Sequence, residues 1–256
     1  MSGETVSEIG SIEDYLAQGG VLTSPDNVPP RYRGELLRLM STFVDSELAG
    51  SAGFAAAINL APGIKARIAA SRITLEKAAH ADRVLDLMGS FGTDTERYQA
   101  QHDWAARVPR EAELGATRKD GDMRLSVFHY PLAGWSDAVV MNVLMGLATC
   151  VQLGEFARVS YAPLAETFRE IAPREARHAE LGLEGLAEIT KTDAGKAEAR
   201  AAIAYWHPRV AETFGQASSA RFGTLLRLGL RHTPNEALLA EWEGRASEKL
   251  AVLGLG

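Results

Sequence analysis

Two side chains with metal-binding chemistry stand three residues apart within the stretch Pro173–His178. Glu175 and His178 project from one face of any helix that contains them, because three residues nearly complete a turn. A Glu-x-x-His pair on each of two helices, with a carboxylate from each of two others, is the ligand set of a di-iron four-helix bundle. A single pair also arises by chance on solvated helices, so the rest of the chain must supply the remaining ligands.

Earlier in the chain, His80 is the candidate for a second pair. Its carboxylate partner would stand at position 77, but this residue is Lys77. Glu76 precedes His80 by four residues, so it shares the rough face of the helix but is rotated from the expected ligand position. Glu47 is a further candidate, because apolar and small residues flank it and a carboxylate in that setting needs a partner.

Segments with apolar residues at three- and four-residue steps position these candidates. The predicted helices cover residues 32–57, 64–88, 135–160, 164–189, 195–218 and 219–252. The first carries Glu47, the second His80, and the fourth both Glu175 and His178. The third is apolar on nearly all sides, which predicts a central, buried helix. No stretch alternates as a strand does, so the predicted fold class is all-α.

Two segments lack this periodicity. Residues 1–30 are a lead-in, in which Ser11 to Gln18 predicts a short helix before a region broken by glycine and proline. Residues 93–121 are polar and end near a turn signal at Lys119–Asp122, and we expect them to lie over the bundle surface. Residues 31–256 are predicted to form a single helical domain with a substantial core.

Composition excludes several classes of partner. The formal net charge is −6 and no basic stripe is present, which argues against nucleic acid. No apolar run approaches the roughly 20 residues that span a bilayer, and the first ten residues do not have the pattern of a signal peptide. We therefore expect no membrane association and a cytoplasmic location. Cys150 is the single cysteine, so neither an intrachain disulfide nor a cysteine metal cage can form.

Several short stretches, in order from about residue 27 onward, carry a family resemblance. They are Pro30-Arg31-Tyr32-Arg33, Ser46-Glu47-Leu48-Ala49-Gly50, Phe128-His129-Tyr130-Pro131, Trp135-Ser136-Asp137, Ser160-Tyr161-Ala162-Pro163, Glu175-Ala176-Arg177-His178 and the run from Ala202 to Gly215. With them the chain resembles the catalytic-subunit family of the bacterial phenylacetyl-CoA ring epoxidases, the phenylacetic acid catabolic proteins. Relative to that family, the chain has an insertion within about 93–121.

The resemblance implies a fold and an activity. The fold is a ferritin-like four-helix bundle with additional C-terminal helices. The activity is that of a non-haem di-iron monooxygenase acting on an aromatic CoA thioester, with electrons from a separate reductase. The implied assembly is a homo- or hetero-oligomer with a related ferritin-like subunit.

Carried over by position, the resemblance also implies a metal site with two departures. The family's iron ligands correspond to Glu47, His80, Glu175 and His178. Lys77 stands where the family has a bridging-type Glu, and Gly146 where it has an Asp. Two ferrous ions would bring four positive charges beside a lysine ammonium, and like charges at short range disfavour one another. We expect Lys77 to form a buried ion network with the remaining carboxylates instead, and iron to number one ion per chain or none.

Of the residues that follow Gly146 on the central helix, Glu155 cannot replace the family Asp, whereas Cys150 could approach the site. Glu155 lies nine residues further on, and at about 100° per residue it points to the opposite side of the helix. Cys150 lies four residues further on and shares the right face, so it is expected to approach the site.

Arg38 and Arg124 are candidates for binding CoA. Arg38 matches a basic family position near the CoA-binding mouth, and Arg124 replaces a family Lys there. Either guanidinium could hold a phosphate, and a surface arginine without a ligand is the alternative. No catalytic side chain is assigned. The remaining histidines lack a partner at ligand spacing, and Trp135, Trp206 and Phe214 are expected to be core anchors.

Two functions from different classes follow. The first is a subunit of a multicomponent oxygenase that acts on an aromatic CoA thioester through a degenerate metal site. The second is a metal-free structural or regulatory protein that keeps the bundle for assembly with a partner. Ferritin-type iron storage is disfavoured, because the carboxylate-rich site is incomplete.

Overall fold

A computed structural model describes residues 12–114, 121–217 and 221–256. These residues form helices connected by turns and short 3-10 segments, and no strand is found among them. The helices are α1 (Ile12–Ala17), α2 (Pro30–Ala57), α3 (Ile64–Ser90), α4 (Thr95–Gln99), α5 (Trp135–Phe156), α6 (Ala162–Ile189), α7 (Asp193–Ala211), α8 (Phe222–Arg227) and α9 (Asn235–Val252). The prediction of an all-α, ferritin-like bundle is confirmed.

Four long helices make the bundle. Helix α2 packs along α3 and α5 along α6, while α3 meets α6 and α2 meets α5 across the middle. The connections at 58–63 and 157–161 are short, as expected between antiparallel neighbours, and the α3-to-α5 connection is a long crossover. Helix α2 begins at Pro30. Proline suits the first position of a helix, because the backbone N–H that it lacks would have no hydrogen-bond partner there.

Helix α5 is the central helix that its composition predicts. Its residues are buried along most of its length, and α6, α7 and α9 all pack on it. By length and composition α5 passes a test for a membrane span, but 83% of the apolar window is buried inside the protein. The core helix of a folded domain passes the same test, so this is a weak sign of a membrane segment. The cytoplasmic location stays a prediction.

Buried apolar residues form two clusters. The N-terminal cluster joins α2, the second half of α3 and the first half of α6, and includes Met40, Val84 and Phe168. The C-terminal cluster joins α5, α7 and α9, and includes Trp206 and Trp242. Of the expected anchors, Trp206 and Phe214 are fully buried, whereas Trp135 is partly buried against the C-terminal cluster.

Two residues of the apolar pattern that predicts α3 do not face the core. Ile68 and Leu75 are exposed on the outer side of the helix, whereas Ile73, Val84 and Leu85 are buried. Periodicity marks both as part of the apolar pattern of this helix but does not show which side each one faces. Both lie on the side of α3 opposite to Ala69 and Ile73, which face a groove towards α5 and α6.

The crossover segment is anchored to the bundle by three arginines. Arg107 donates to the carbonyl of Ala49 at 2.8 Å, and Arg110 forms a bidentate pair with Asp137 at 2.9 and 3.0 Å. The guanidiniums of Arg110 and Arg209 lie 3.6 and 3.7 Å from the ring centre of Tyr205. The described part of 93–121 thus lies against the bundle. Part of the predicted turn at Lys119–Asp122 falls outside the described residues.

The lead-in is also attached. The predicted short helix is α1, and Leu22 then pairs with Tyr161 at the start of α6 in an isolated bridge. Residues 1–11 lie outside the described range, and with them the start of the predicted helix at Ser11.

Candidate metal centre and adjoining cavity

Three helices bring the four predicted metal ligands together. Helix α2 supplies Glu47, α3 supplies His80, and α6 supplies Glu175 and His178; all four are buried. Donor atoms of Glu47, His80 and Glu175 lie within 4.8 Å of one another, which is close enough to share one metal ion. Residues far apart in sequence therefore form one polar cluster inside an otherwise apolar bundle.

Lys77 lies inside this cluster. Its Nζ is 2.9 Å from Oε1 of Glu47 and 3.2 and 3.1 Å from Oε1 and Oε2 of Glu175. Its stem passes Gly50, where an added Cβ would lie 3.3 Å from the Lys77 Cδ. Gly50 on α2 therefore leaves the space through which the ammonium reaches the carboxylates.

The charges of this cluster stabilise one another. Burial opposes the charge on Lys77, but the carboxylates of Glu175 and Glu47 outweigh it, so the pKa of Lys77 is raised. Burial likewise opposes the charge on Glu175, but Lys77 and the two neighbouring histidines hold the pKa of Glu175 well below its usual value. The cluster therefore contains a charged lysine beside the ionised carboxylate of Glu175.

His80 faces both carboxylates through one nitrogen. Its Nδ1 lies 2.9 Å from Oε1 of Glu175 and 3.3 Å from Oε2 of Glu47. Burial tends to lower the pKa of His80, but the hydrogen bonds to Glu175 and Glu47 have the larger effect. The pKa of His80 is therefore raised. The other nitrogen, Nε2, is buried and finds no hydrogen-bond partner among the described residues.

His178 is oriented by a residue that motif spacing placed outside the ligand set. Its Nε2 lies 2.6 Å from Oε2 of Glu76 on α3. Its Nδ1 points towards the cluster, 3.3 Å from Oε1 of Glu175 but without hydrogen-bond geometry. Carboxylates commonly orient metal-binding histidines in this way. The one sequence signal for Glu76 is its position four residues before His80.

The second lost ligand position is closed by helix packing. A Cβ on Gly146 would lie 3.2 Å from the Cα of Ala179, so α5 and α6 are in close contact here. Cys150, one turn further along α5, is half-buried. Burial and the charge of Glu175 raise the pKa of its thiol to about 11, so it stays protonated at neutral pH. Glu155 is held elsewhere, by the backbone N–H of Thr233 at 2.9 Å.

These residues do not fit a pair of iron ions. Lys77 places a positive charge against both of the cluster's carboxylates, and position 146 has neither a ligand side chain nor space for one. A single ion is a different case, because the donor set of Glu47, His80 and Glu175 converges on one point. Such an ion would compete with the Lys77 ammonium for the same oxygen atoms.

A cavity of about 300 Å³ adjoins the cluster. It lies between α2, α5 and the segment 213–235, and Glu47 is among its lining residues. Its walls are mainly apolar and include Phe43, Phe128 and Leu153. Arg38 lines the same cavity, as do Arg221 and Arg231, which spacing arguments did not identify.

Arg124 does not line this cavity. Its side chain is buried, and its Nε donates to Asp122 at 2.6 Å. Further hydrogen bonds run to the carbonyl oxygens of Asp103, Trp104 and Ala106 in the crossover segment. The structure therefore brings Arg38 to the cavity but uses the guanidinium of Arg124 to hold a loop.

Comparison of the amino-acid sequence with known proteins identifies the family of this chain. The profile of the family described as "Phenylacetic acid catabolic protein" matches residues 20–256, which is nearly the whole chain. The chain belongs to this family. The expected resemblance is thereby confirmed, and with it a relation to the phenylacetate catabolic epoxidases.

One curated relative is a component of the 1,2-phenylacetyl-CoA epoxidase of Escherichia coli (strain K12). The two sequences are 24% identical over 199 residues, which cover 77% of this chain. The match spans 59% of the relative's length, so this chain corresponds to less than two thirds of that protein.

Proposed function

We propose that this chain is a subunit of a multicomponent oxygenase that acts on an aromatic CoA thioester, and that its degenerate metal site holds one ion. The observation that carries the substrate class is the cavity that Arg38 and Glu47 share. Nine residues of α2 separate the two side chains, or about 13 Å along the helix. A ligand with a phosphate at one end and an acyl group at the other suits that separation.

The roles of the residues follow from their chemistry. Arg38 would bind a phosphate of the CoA moiety through charge-assisted hydrogen bonds. The apolar walls at Phe43, Phe128 and Leu153 would hold the aromatic acyl group and exclude water. The relative's name describes an epoxidase of phenylacetyl-CoA, and we extend the aromatic thioester class to this chain. A separate reductase and a related ferritin-like subunit are the partners in this proposal.

If one ion binds, Glu47, His80, Glu175 and His178 would hold it after Lys77 has moved away. Iron in such a site supplies the activation of dioxygen. The orientation of His178 by Glu76 supports a ligand role, because a buried nitrogen without a partner then points at the cluster.

The second candidate function is a metal-free structural or regulatory subunit. The contacts of Lys77 favour it, because the ammonium already pairs with both carboxylates and a metal ion would have to displace it. In this case the bundle serves assembly with a partner, and the cavity has no catalytic role.

Metal content separates the two candidates. The protein is purified from cells supplied with iron and manganese, and its metals are quantified by inductively coupled plasma mass spectrometry. The oxygenase proposal predicts roughly one ion per chain, lost in His178→Ala. A content below about a tenth of an ion per chain contradicts the oxygenase and supports the structural subunit.

A companion variant tests the role of Lys77. Lys77→Glu exchanges the competing cation for a carboxylate, so we expect its metal content to rise above that of the wild type. Failure to gain metal would assign the exclusion to the packing at Gly146 instead. Circular dichroism of the variant establishes that the bundle is intact.

A further inference from the structure

A groove of about 1040 Å³ opens between the N-terminal half of α3, the start of α5 and the C-terminal half of α6. On α5 it extends as far as Asn142, and the cavity beside Glu47 begins at Met145. On α2 the order is reversed, because the cavity ends at Glu47 and the groove is lined by Phe54. The two spaces therefore approach the cluster from opposite ends of the bundle. We call the second one the α3–α6 groove.

The floor of this groove lies close to the cluster. Three of its buried lining residues each stand one helical turn from a cluster residue or from the lost ligand position. The pairs are Ile73 and Lys77 on α3, Asn142 and Gly146 on α5, and Gly182 and His178 on α6. Four residues make slightly more than one turn, so the members of each pair share a face of their helix and are about 6 Å apart along its axis. Three helices thus place the floor about one turn from the cluster.

Small side chains leave this space open. The interior of a bundle is normally filled to the packing density of a crystal. Much of the groove is instead lined by alanine and glycine, namely Ala66, Ala69, Ala70, Gly182 and Gly185. The charged lining residues Lys65, Glu184 and Glu188 are all exposed, so they lie at the rim. At the floor, Nδ2 of Asn142 donates to the carbonyl of His178 at 2.9 Å.

Such walls suit a small, uncharged molecule. A hydrated ion would lose its water against the apolar floor, which is costly. Apolar cavities in proteins do admit gases such as xenon. In the proposed function the thioester fills the cavity beside Glu47, so the second reactant, dioxygen, needs another approach to the cluster. The groove offers that approach.

We propose that dioxygen reaches the cluster through the α3–α6 groove and passes Ile73 on the way. This route rests on the oxygenase function proposed above. Ile73 is 4% exposed and stands one turn from Lys77, so its side chain separates the groove from the cluster. Buried side chains change rotamer even in a closely packed core, which lets a diatomic molecule pass without unfolding of the bundle.

Nuclear magnetic resonance of the protein, kept metal-free by a chelator, tests the route without any turnover. Dioxygen is paramagnetic, so dissolved oxygen gas speeds the relaxation of methyl protons that it approaches. The probe is the methyl group of Ala179, which follows His178 and packs against Gly146. The reference is Ala246, a fully buried alanine of α9. We expect the oxygen effect on Ala179 to exceed that on Ala246 by roughly threefold or more, and to persist when phenylacetyl-CoA is added.

Two variants change the groove in opposite directions. Ala69→Trp fills it and should lower the oxygen effect on Ala179 to nearly that on Ala246. Ile73→Ala removes the barrier at the floor and should raise the effect. Ala55→Trp makes the same exchange at an exposed position of α2 outside the groove, and should leave the effect unchanged. Circular dichroism establishes that the helices of each variant are intact.

Three results would overturn the route. The first is an oxygen effect on Ala179 no larger than that on Ala246. The second is an effect that Ala69→Trp does not lower or, should that variant unfold, that Ile73→Ala does not raise. The third is loss of the effect when phenylacetyl-CoA binds, because dioxygen then arrives through the cavity. Failure of phenylacetyl-CoA to bind contradicts the proposed function instead, since the comparison of the variants needs neither thioester nor metal.

Discussion

At the scale of single residues, Lys77 has the largest effect on the chemistry of this chain. Its ammonium contacts the carboxylates of Glu47 and Glu175, and all three side chains are buried. Removing one partner of a buried ion pair leaves an uncompensated charge, which costs far more than an exposed pair contributes. Lys77 therefore bears on the stability of the bundle as well as on its metal content.

We predict that Lys77→Met lowers the free energy of unfolding by about 3–5 kcal/mol, because Glu47 and Glu175 lose their counter-charge. Urea denaturation in the presence of a chelator measures this without interference from metal. The control is Lys249→Met, at an exposed lysine of α9, which should change stability by less than about 0.5 kcal/mol. Equal effects in the two variants would contradict a stabilising ion network.

At the scale of the elements, the contact between α5 and α6 decides what the site can become. Gly146 faces the backbone of α6 at Ala179, so a side chain at position 146 requires the two helices to separate. A carboxylate introduced at position 146 is therefore expected to need a shift of α6 as well. The absence of a carboxylate at position 146 looks like a single substitution in the sequence. In the structure, the packing of α5 against α6 also leaves little space for a side chain at this position.

Two glycines of α5 offer a matched test of this contact. Gly154→Ala adds a Cβ where nothing lies within 4 Å, and should stabilise the helix by up to about 1 kcal/mol. Gly146→Ala is expected to be less stable than Gly154→Ala by about 1–3 kcal/mol, because its Cβ crowds Ala179. Thermal or urea unfolding measures both, and equal effects of the two variants would contradict the close contact.

The end of α5 is tied to the segment before α9 through Glu155. Its buried carboxylate accepts hydrogen bonds from the backbone N–H groups of His232 and Thr233 and pairs with Arg158. Burial alone would raise the pKa of Glu155, but these hydrogen bonds outweigh it and lower the pKa. A carboxyl with a lowered pKa stabilises the fold above its unfolded value of about 4.3, and this contribution is lost as the pH falls through the folded value.

We predict that Glu155→Gln is less stable than the wild type by about 2 kcal/mol at pH 7, because hydrogen bonds to a charged acceptor are lost. The difference should narrow as the pH falls below about 4, where the wild-type carboxyl also becomes protonated. Urea unfolding curves of the variant and the wild type, recorded between pH 7 and pH values below about 4, measure this difference in stability. Glu243→Gln on α9 is the exposed control, and a gap that does not depend on pH would contradict the role of the charge.

At the scale of the whole molecule, the same helices support both apolar clusters. Helices α2, α5 and α6 contribute residues to the N-terminal cluster and to the C-terminal cluster alike. The C-terminal helices are part of this core, since the indole N–H of Trp242 on α9 donates to the carbonyl of Leu144 on α5 at 3.0 Å. We therefore propose that residues 31–256 unfold as one domain.

Two optical probes test that proposal. Trp206 and Trp242 are fully buried in the C-terminal cluster, so tryptophan fluorescence reports mainly on it, whereas far-ultraviolet circular dichroism reports on every helix. We expect the two signals to change together in one urea transition. Separate transitions would show two independently folding units.

The helical segments, the family and the four candidate ligands that the fold brings together could be predicted from the amino-acid sequence. Helical periodicity depends on local spacing, so the bounds of α2, α3 and α6 agree with the predicted helices to within a few residues. Periodicity marked α3 as a helix but did not show that Ile68 and Leu75, two of its apolar residues, are exposed. The spacing of Glu175 and His178 likewise placed both on one face of α6, but it did not show that Lys77 and Glu76 of α3 contact them.

Which side chains contact the candidate ligands, and how much space remains around them, depends on contacts between segments that are far apart in the sequence. That Lys77 reaches both carboxylates depends on the space at Gly50, and that Glu76 orients His178 depends on the approach of α3 to α6. Two further contacts of this kind are the close packing of Gly146 against α6 and the hydrogen bond from Arg124 to the carbonyl of Asp103. Local spacing carries no information on such distances, because they are set by how the helices pack.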